Sequence, residues 1–185
     1  MIISIAGQRN GDSQKIIAGF IAQRLRVERK LMLLDLSGGA DVPRPQAGAI
    51  SSKIEELLVR HNDVVIDITG CAAEIGRPAL ISAQLAIVLL HVDEARLDKD
   101  YRLISQLNAA RMFNPGLHVL FAVIAGQCDP SPAEIAAVRA YCAEVMSAKL
   151  CPTMIESGTE FQTGLETLYK KAFEQHPVRS GRALH

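Results

Sequence analysis

Short apolar runs alternate with amphipathic stretches along this 185-residue chain. Residues 2–6 (IISIA), 31–35 (LMLLD), 64–68 (VVIDI), 86–91 (AIVLLH), 118–125 (HVLFAVIA) and 152–155 predict strands, the near-continuous apolar character marking burial on both faces. Between them, helical patterns run near 14–28, 51–61, 76–84, 97–113, 132–148 and 160–174. Ser51 or Ser52 is placed to cap the second helix, with Glu55 near the capping-box offset. Pro132 after Ser131 fits a first helical turn, and Asn114-Pro115-Gly116 ends the fourth helix. Strand–helix alternation with short connections predicts an α/β fold: a doubly wound, mostly parallel sheet with helices on both faces. Right-handed crossovers then gather the carboxyl ends of the strands at one edge, where ligands bind. The length fits one domain over residues 1–174, with 175–185 as a frayed tail and 37–50 as the main irregular loop.

Composition removes several classes. Twenty basic and twenty acidic residues give zero net charge, so no global field draws the chain to nucleic acid. Trp is absent and aromatics are 4%, which argues against a base-stacking single-strand binder. Cys71, Cys128, Cys142 and Cys151 form no C-x-x-C pair and have no histidine at ligand spacing, so free thiols in a reducing, cytoplasmic compartment are expected rather than zinc. No 18-residue apolar run exists, and the first apolar run stops after six residues without a basic leader, so neither a membrane span nor a signal peptide is expected.

The candidate chemistry begins after the first strand. Residues 7–13 (GQRNGDS) read as a turn-rich loop leading into a helix, the layout of a phosphate-binding P-loop. That motif requires G-x-x-x-x-G-K-[ST], and the best overlay puts Gln8, Ser13, Gln14 and Lys15 on its four anchors, matching none. Asp35 and Asp67 each end an apolar strand, where a carboxylate near a phosphate loop can hold Mg²⁺ directly or through water, or simply cap the strand end. His91 ends a strand at the same edge; His61 and His118 are scattered.

Five segments, in order, resemble the ParA/MinD class of deviant-Walker P-loop ATPases over nearly the whole chain. "SIAGQRNGDSQK" resembles the family's N-Q-K-G-G-V-G-K-T-T, and "KLMLLDLSGG" its D-x-D-P-Q motif. "NDVVIDITG" resembles its Walker B segment. "PALISAQLAIVLLHVDEARLD" and "FNPGLHVL" resemble the later strands. The resemblance implies a P-loop NTPase-like fold, ATP or ADP with Mg²⁺, and homodimers formed across the nucleotide edge. It implies nucleotide contacts from Arg9, Asn10, Gly11, Asp12, Ser13, Gln14 and Lys15, and metal contacts from Asp35 and Asp67. Arg9 falls on the family's second lysine, which reaches the partner's phosphates; a guanidinium fork there can do the same.

The departures from that pattern bear on function. Gln14 stands at the P-loop lysine and Lys15 at the Mg²⁺-binding threonine. A neutral hydrogen bond contributes roughly 0.5–1.5 kcal/mol against about 1.5–3 for a charged one, so phosphate grip is weakened. Asp12 adds a negative charge beside phosphates, Ser37 replaces the second Asp of the second motif, and Gln127 stands where an adenine-reading Asn is common. The expected function is positioning or partition of intracellular cargo by a ParA/MinD-like protein with weak or absent ATP hydrolysis. One alternative is an active, atypical Mg²⁺-dependent ATPase using Lys15 or Arg9 with Asp35 and Asp67. A lower-ranked alternative is a small-molecule transferase on the same scaffold. Helix 160–174 carries an apolar stripe read as packing on the sheet; Lys170, Lys171, Arg179 and Arg182 offer weak contact with DNA or a membrane.

Overall fold

The computed structural model describes residues 1–27, 30–37, 47–97, 101–125, 129–155 and 160–174. The strands are β1 (Ile2–Ala6), β2 (Leu31–Asp35), β3 (Asp63–Asp67), β4 (Leu85–His91), β5 (His118–Ile124) and β6 (Lys149–Leu150). The helices are α1 (Asp12–Arg26), α2 (Ala47–Arg60), α3 (Ala73–Ser82), α4 (Glu94–Leu97), α5 (Arg102–Phe113), α6 (Pro132–Ala143) and α7 (Phe161–Phe173). The strands form one six-stranded sheet in the order β2-β3-β1-β4-β5-β6. Every pairing is parallel, which sharpens the expectation of a mostly parallel sheet.

Side-chain alternation explains why a parallel sheet needs helices on both faces. Ile3, Ile5, Ile87 and Leu89 point toward one face and pack with Ile17 and Ile21 of α1 and Leu165 and Leu168 of α7. Ile2, Val64, Val88 and Phe121 point the other way, onto Ile54 of α2, Leu80 of α3, Leu107 of α5 and Val138 of α6. Each central strand is therefore apolar on both faces along most of its length, with Ser4 of β1 a buried exception whose hydroxyl donates to Ala79 O at 3.0 Å. That erases the two-residue alternation from the sequence but leaves the run itself legible.

Several boundaries differ from the sequence reading. Helix α2 begins at Ala47, so Ser51 and Ser52 lie inside it and cap nothing. Ile50, Ile54 and Leu57, buried to 1, 2 and 4% exposure, form one stripe that carries the helix upstream of the serines. The fourth helical pattern divides into α4 and α5, with Tyr101 in the left-handed region at φ 47° before α5. The last strand is Lys149–Leu150 rather than 152–155. Cys151 N–H still donates to Phe121 O at 2.8 Å just after the strand, before the chain leaves the ladder. Pairing resumes only at Ile155, whose N–H donates to Val123 O at 2.8 Å. Ser131 and Pro132 behave as read, and Glu134 completes a capping box: its backbone N–H donates to Ser131 Oγ and its carboxylate accepts from Ser131 N–H. Residues 38–46 of the irregular loop, Gln127, Cys128, and the tail with Arg179 and Arg182 lie outside the described residues.

The order of the strands fixes where a site belongs. From β1 the chain leaves through α1 on one face; from β4 it leaves toward α5 on the other. The carboxyl ends of these two neighbours therefore flank a crevice at the topological switch point, the usual ligand position in open α/β sheets.

Helix α7 supplies its stripe to the core, with Leu165 and Leu168 at 1 and 0% exposure. Lys170 is exposed, and Lys171 pairs with Glu174 at 2.8 Å. Leu168→Ala is expected to cost about 2–5 kcal/mol in urea unfolding. The same variant should leave binding to anionic vesicles unchanged in a sedimentation assay, because this stripe faces the sheet.

Candidate functional site

Two close backbone approaches build the crevice. A Cβ on Gly7 would lie 2.9 Å from Leu89 O, so only glycine lets the β1 exit run this close to β4. Gly70 follows β3 at φ +67°, donates its N–H to Gly7 O at 2.8 Å, and would place a Cβ 2.9 Å from Asn10 Cβ. The exits of β1 and β3 are thus pressed together, and loop 7–11 is held from both sides.

The structure brings together most of the residues read from the loop, but not around an open cradle. Gly11 is the N-cap of α1 in extended geometry, and Asp12 occupies its exposed first turn, where a negative charge favours the helix dipole. Asn10 turns away from the loop and donates through Nδ2 to Ser37 O at 2.6 Å. Ser13 is half-buried, and Lys15 is exposed. Gln14 is only 2% exposed. Its Nε2 meets His91 Nε2 at 2.8 Å, and its Oε1 lies 3.0 Å from where a Cβ on Gly11 would stand. The Gln14 amide therefore spans the crevice from the loop to the end of β4.

Arg9 makes a second bridge across the same crevice. Its Nη2 donates to Asp93 Oδ2 at 2.5 Å, and its Nε lies 3.3 Å from Glu94 Oε1. The pair with Asp93 is about half exposed and contributes under about 1 kcal/mol of stability. Its importance is directional. Glu94 is buried and also accepts the His91 backbone N–H at 2.8 Å, so the guanidinium is aimed at a fixed acidic corner of its own chain. Asp93 and Glu94 were missed in the sequence, although two carboxylates just beyond β4 at the ligand edge were the signal. Tyr141 was missed too; its hydroxyl accepts from Gln8 Nε2 at 3.4 Å.

Asp35 and Asp67 are paired in register on β2 and β3. Each also does what a strand-end aspartate does alone. Asp35 Oδ1 accepts from Ser37 N and Oγ, at 2.9 and 2.5 Å; Asp67 Oδ1 accepts from Thr69 N and Oγ1, at 3.0 and 2.7 Å. Asp35 is exposed, whereas Asp67 is 2% exposed. Burial raises the Asp67 pKa despite the Thr69 hydrogen bonds; Asp35 raises it further and the Lys15 charge opposes. Burial, with the Arg9 charge, lowers that of His91. Among the described residues, no group of three or more His, Cys, Asp or Glu is arranged to hold a metal ion. The described cysteines 71, 142 and 151 are free thiols, and burial pushes the Cys142 thiol up to about 12. At the same sheet edge lies an apolar cavity of about 150 Å³, lined by Val92, Val123, Ile135, Val138 and Met154.

The fold is the P-loop NTPase-like α/β fold. Among solved structures, the chain is similar to cobyrinic acid a,c-diamide synthase of Mycobacterium smegmatis with a bound ATP analogue and magnesium: TM-score 0.70, 12% identity, 97% of each chain covered. It is similar to a plasmid partition protein of Borrelia burgdorferi, with TM-score 0.62 and 13% identity over 94% of this chain and 98% of that one. Cyanothece McdA in an ATP complex gives TM-score 0.63 and 11% identity over 94% and 95%. These neighbours share this chain's fold, which is the fold the sequence resemblance implies. No family model matches the chain, and no curated protein matches it by sequence. No helix among the described residues is long and apolar enough to cross a membrane.

The residues as placed do not fit a nucleoside triphosphate of the kind two of these neighbours contain. Gln14 fills the space over Gly11, Arg9 is committed to Asp93 and Glu94, and the first helical turn already carries Asp12.

Two outcomes follow from this geometry. Asp67 contributes stability fully only below its unfolded pKa, and loses that contribution as pH rises through its raised folded value. Asp67→Asn, which can still accept from Thr69, should raise stability at pH 7 by about 0.5–2 kcal/mol, and the gain should shrink below pH ~4 in thermal melts. Gly70→Ala should cost more than about 1 kcal/mol in the same melts, because it combines a left-handed φ with a backbone contact.

Proposed function

We propose that the chain is a ParA/MinD-like protein for intracellular positioning or partition of cargo, with a degenerate nucleotide site and weak or absent ATP hydrolysis. The observation that carries this reading is the buried Gln14 amide standing between Gly11 and His91. A P-loop that grips phosphate presents N–H donors and a cation to an anion. This loop presents a carbonyl-type oxygen instead, with a carboxylate on the following turn. Such a loop repels the ligand that the architecture would otherwise take.

The partition and positioning role comes from the neighbours, a plasmid partition protein and McdA, and from the order of motifs along the chain. Arg9 supports the same reading. A residue that must reach a partner's phosphates needs a free head group, whereas this guanidinium is spent on its own chain. A homodimer formed by this protein would therefore use a surface other than a nucleotide-filled crevice, and its work would be done by binding partners. In the rival reading, an active atypical ATPase, the exposed Lys15 supplies the missing charge, its field already reaching Asp67.

Calorimetry with MgATP, together with a phosphate-release assay, separates the two. The expected result is no saturation below millimolar nucleotide and turnover at background. Micromolar binding with turnover lost in Asp67→Ala would establish the rival. Restoring the motif with Gln14→Lys and Lys15→Thr should strengthen MgATP binding by at least about tenfold, the equivalent of 1.4 kcal/mol.

A further inference from the structure

We propose that Gln14 and His91 form a proton-operated plug: with His91 neutral, the Gln14 amide oxygen closes the loop at Gly11, and protonation of His91 reverses the amide so that the loop admits a compact oxyanion. The inference rests on the reading of loop 7–15 as a closed phosphate cradle.

The argument starts from hydrogen-bond bookkeeping. Gln14 presents its Nε2, a donor, to His91 Nε2 at 2.8 Å. As a hydrogen bond from the Gln14 NH₂ group, the contact requires that ring nitrogen to be an acceptor, which pairs this amide orientation with a neutral ring carrying its proton on Nδ1. The amide oxygen then falls on the loop side, at 3.0 Å from the Cβ position of Gly11. Adding a proton makes both ring nitrogens donors. Two donors then face each other across 2.8 Å, in a place where Gln14 is 2% exposed and has little water to turn to. Rotating the terminal amide by half a turn removes the conflict without moving the backbone. It turns Oε1 toward His91 and the NH₂ group toward the loop. The loop floor changes from acceptor to donor, with a full positive charge one residue behind it. Both changes favour an anion at the start of α1, where backbone N–H groups already point.

The surroundings set the direction of coupling. Arg9 faces His91 from the β1–α1 loop, Gln14 from α1, Asp93 from the turn beyond β4 and Glu94 from α4. The neighbouring strands offer no titratable group at this end: β1 has none, and His118 of β5 lies at the far end of its strand. Burial and Arg9 hold the ring neutral at neutral pH, and Asp93 opposes them. An anion in the loop would add a second opposing charge and draw a proton onto the ring. Linkage makes the effect reciprocal: proton uptake must strengthen the anion, and the anion must raise the affinity for the proton.

Sulfate is the probe, because it does not titrate between pH 5 and 8. Its binding to the full chain would be followed by calorimetry at constant ionic strength, with the His91 ring titrated by NMR with and without sulfate. The expected result is affinity rising as pH falls, by at most about tenfold per unit for one proton. The slope should be absent in His91→Gln, and sulfate should raise the His91 pKa in the unaltered protein. That last measurement needs no variant and stands even if His91→Gln folds poorly. Equal affinity at pH 5 and pH 8, a slope surviving in His91→Gln, or no sulfate binding at any pH would each overturn the plug. None of these three results would touch the reading that hydrolysis is lost. Tight MgATP binding with turnover at pH 8 would overturn that reading instead.

Discussion

Gln14 occupies a place that a lysine could not hold in the same arrangement. A buried ammonium beside a neutral imidazole and the arginine of a neighbouring loop would cost several kcal/mol until an anion arrived. A neutral amide costs far less to bury than a charge, and its NH₂ group meets His91. The oxygen left over lies at the start of α1, where the unpaired N–H groups and the positive end of the dipole attract partial negative charge. Asp12 on the same turn adds a full charge to the same purpose. The helix start is therefore satisfied electrostatically from within its own chain, although no side chain caps it by a hydrogen bond. In an open cradle that satisfaction is left to the ligand, and the free energy of ligand binding is in part the free energy of completing the helix end.

The second bridge has the same logic. Arg9 brings a permanent charge to the crevice, and Asp93 with the buried Glu94 answers it. Together the two bridges tie the exit of β1 to the exit of β4, on either side of the switch point where the chain leaves for opposite faces. Asp67 is the group that this closure leaves without an obvious structural reward. Two hydrogen bonds from Thr69 do not offset its burial, and an asparagine would make the same bonds. A buried carboxylate with a raised pKa beside a ligand crevice is a signature of a functional site. The Lys15 charge is the cationic influence that opposes the rise.

The sequence carried the fold through the length and spacing of its apolar runs. These are long enough to cross a sheet, too short for helices, and separated by periodic stretches. It failed where the local rule changed. The last strand pairs at 149–150, leaves the ladder after Cys151 and meets β5 again only at Ile155, a break that an apolar run does not reveal. Ala47-Gly48-Ala49-Ile50 carried α2 past two serines that looked like caps, because the stripe from Ile50 outweighs a capping hydroxyl. Topology alone puts loop 9–15, Asp35 and Asp67 at the carboxyl edge of the sheet, and a sequence can give that much. It could not give the direction of any side chain. Arg9 reaching outward and Arg9 folded onto Asp93 are the same letters, and the difference depends on a turn after β4, far along the chain. His91 was noticed at that edge, but its pairing with Gln14 is a contact over 77 positions.

Glycine-rich character in the loop is weak evidence for phosphate in this molecule. Gly7 is required by Leu89 O and Gly70 by the backbone of Asn10, contacts that exist with the crevice closed. Both would be needed by any chain that lays these exits against each other, whether or not a nucleotide follows. What the fold does not require is more informative. Nothing in the packing of the sheet calls for an arginine at 9, an amide at 14, an imidazole at 91 or a carboxylate at 93; smaller neutral residues would leave both core layers intact. These four polar side chains converge on one crevice and satisfy one another there. Their arrangement, rather than the glycines, is where the function of this architecture has to be sought.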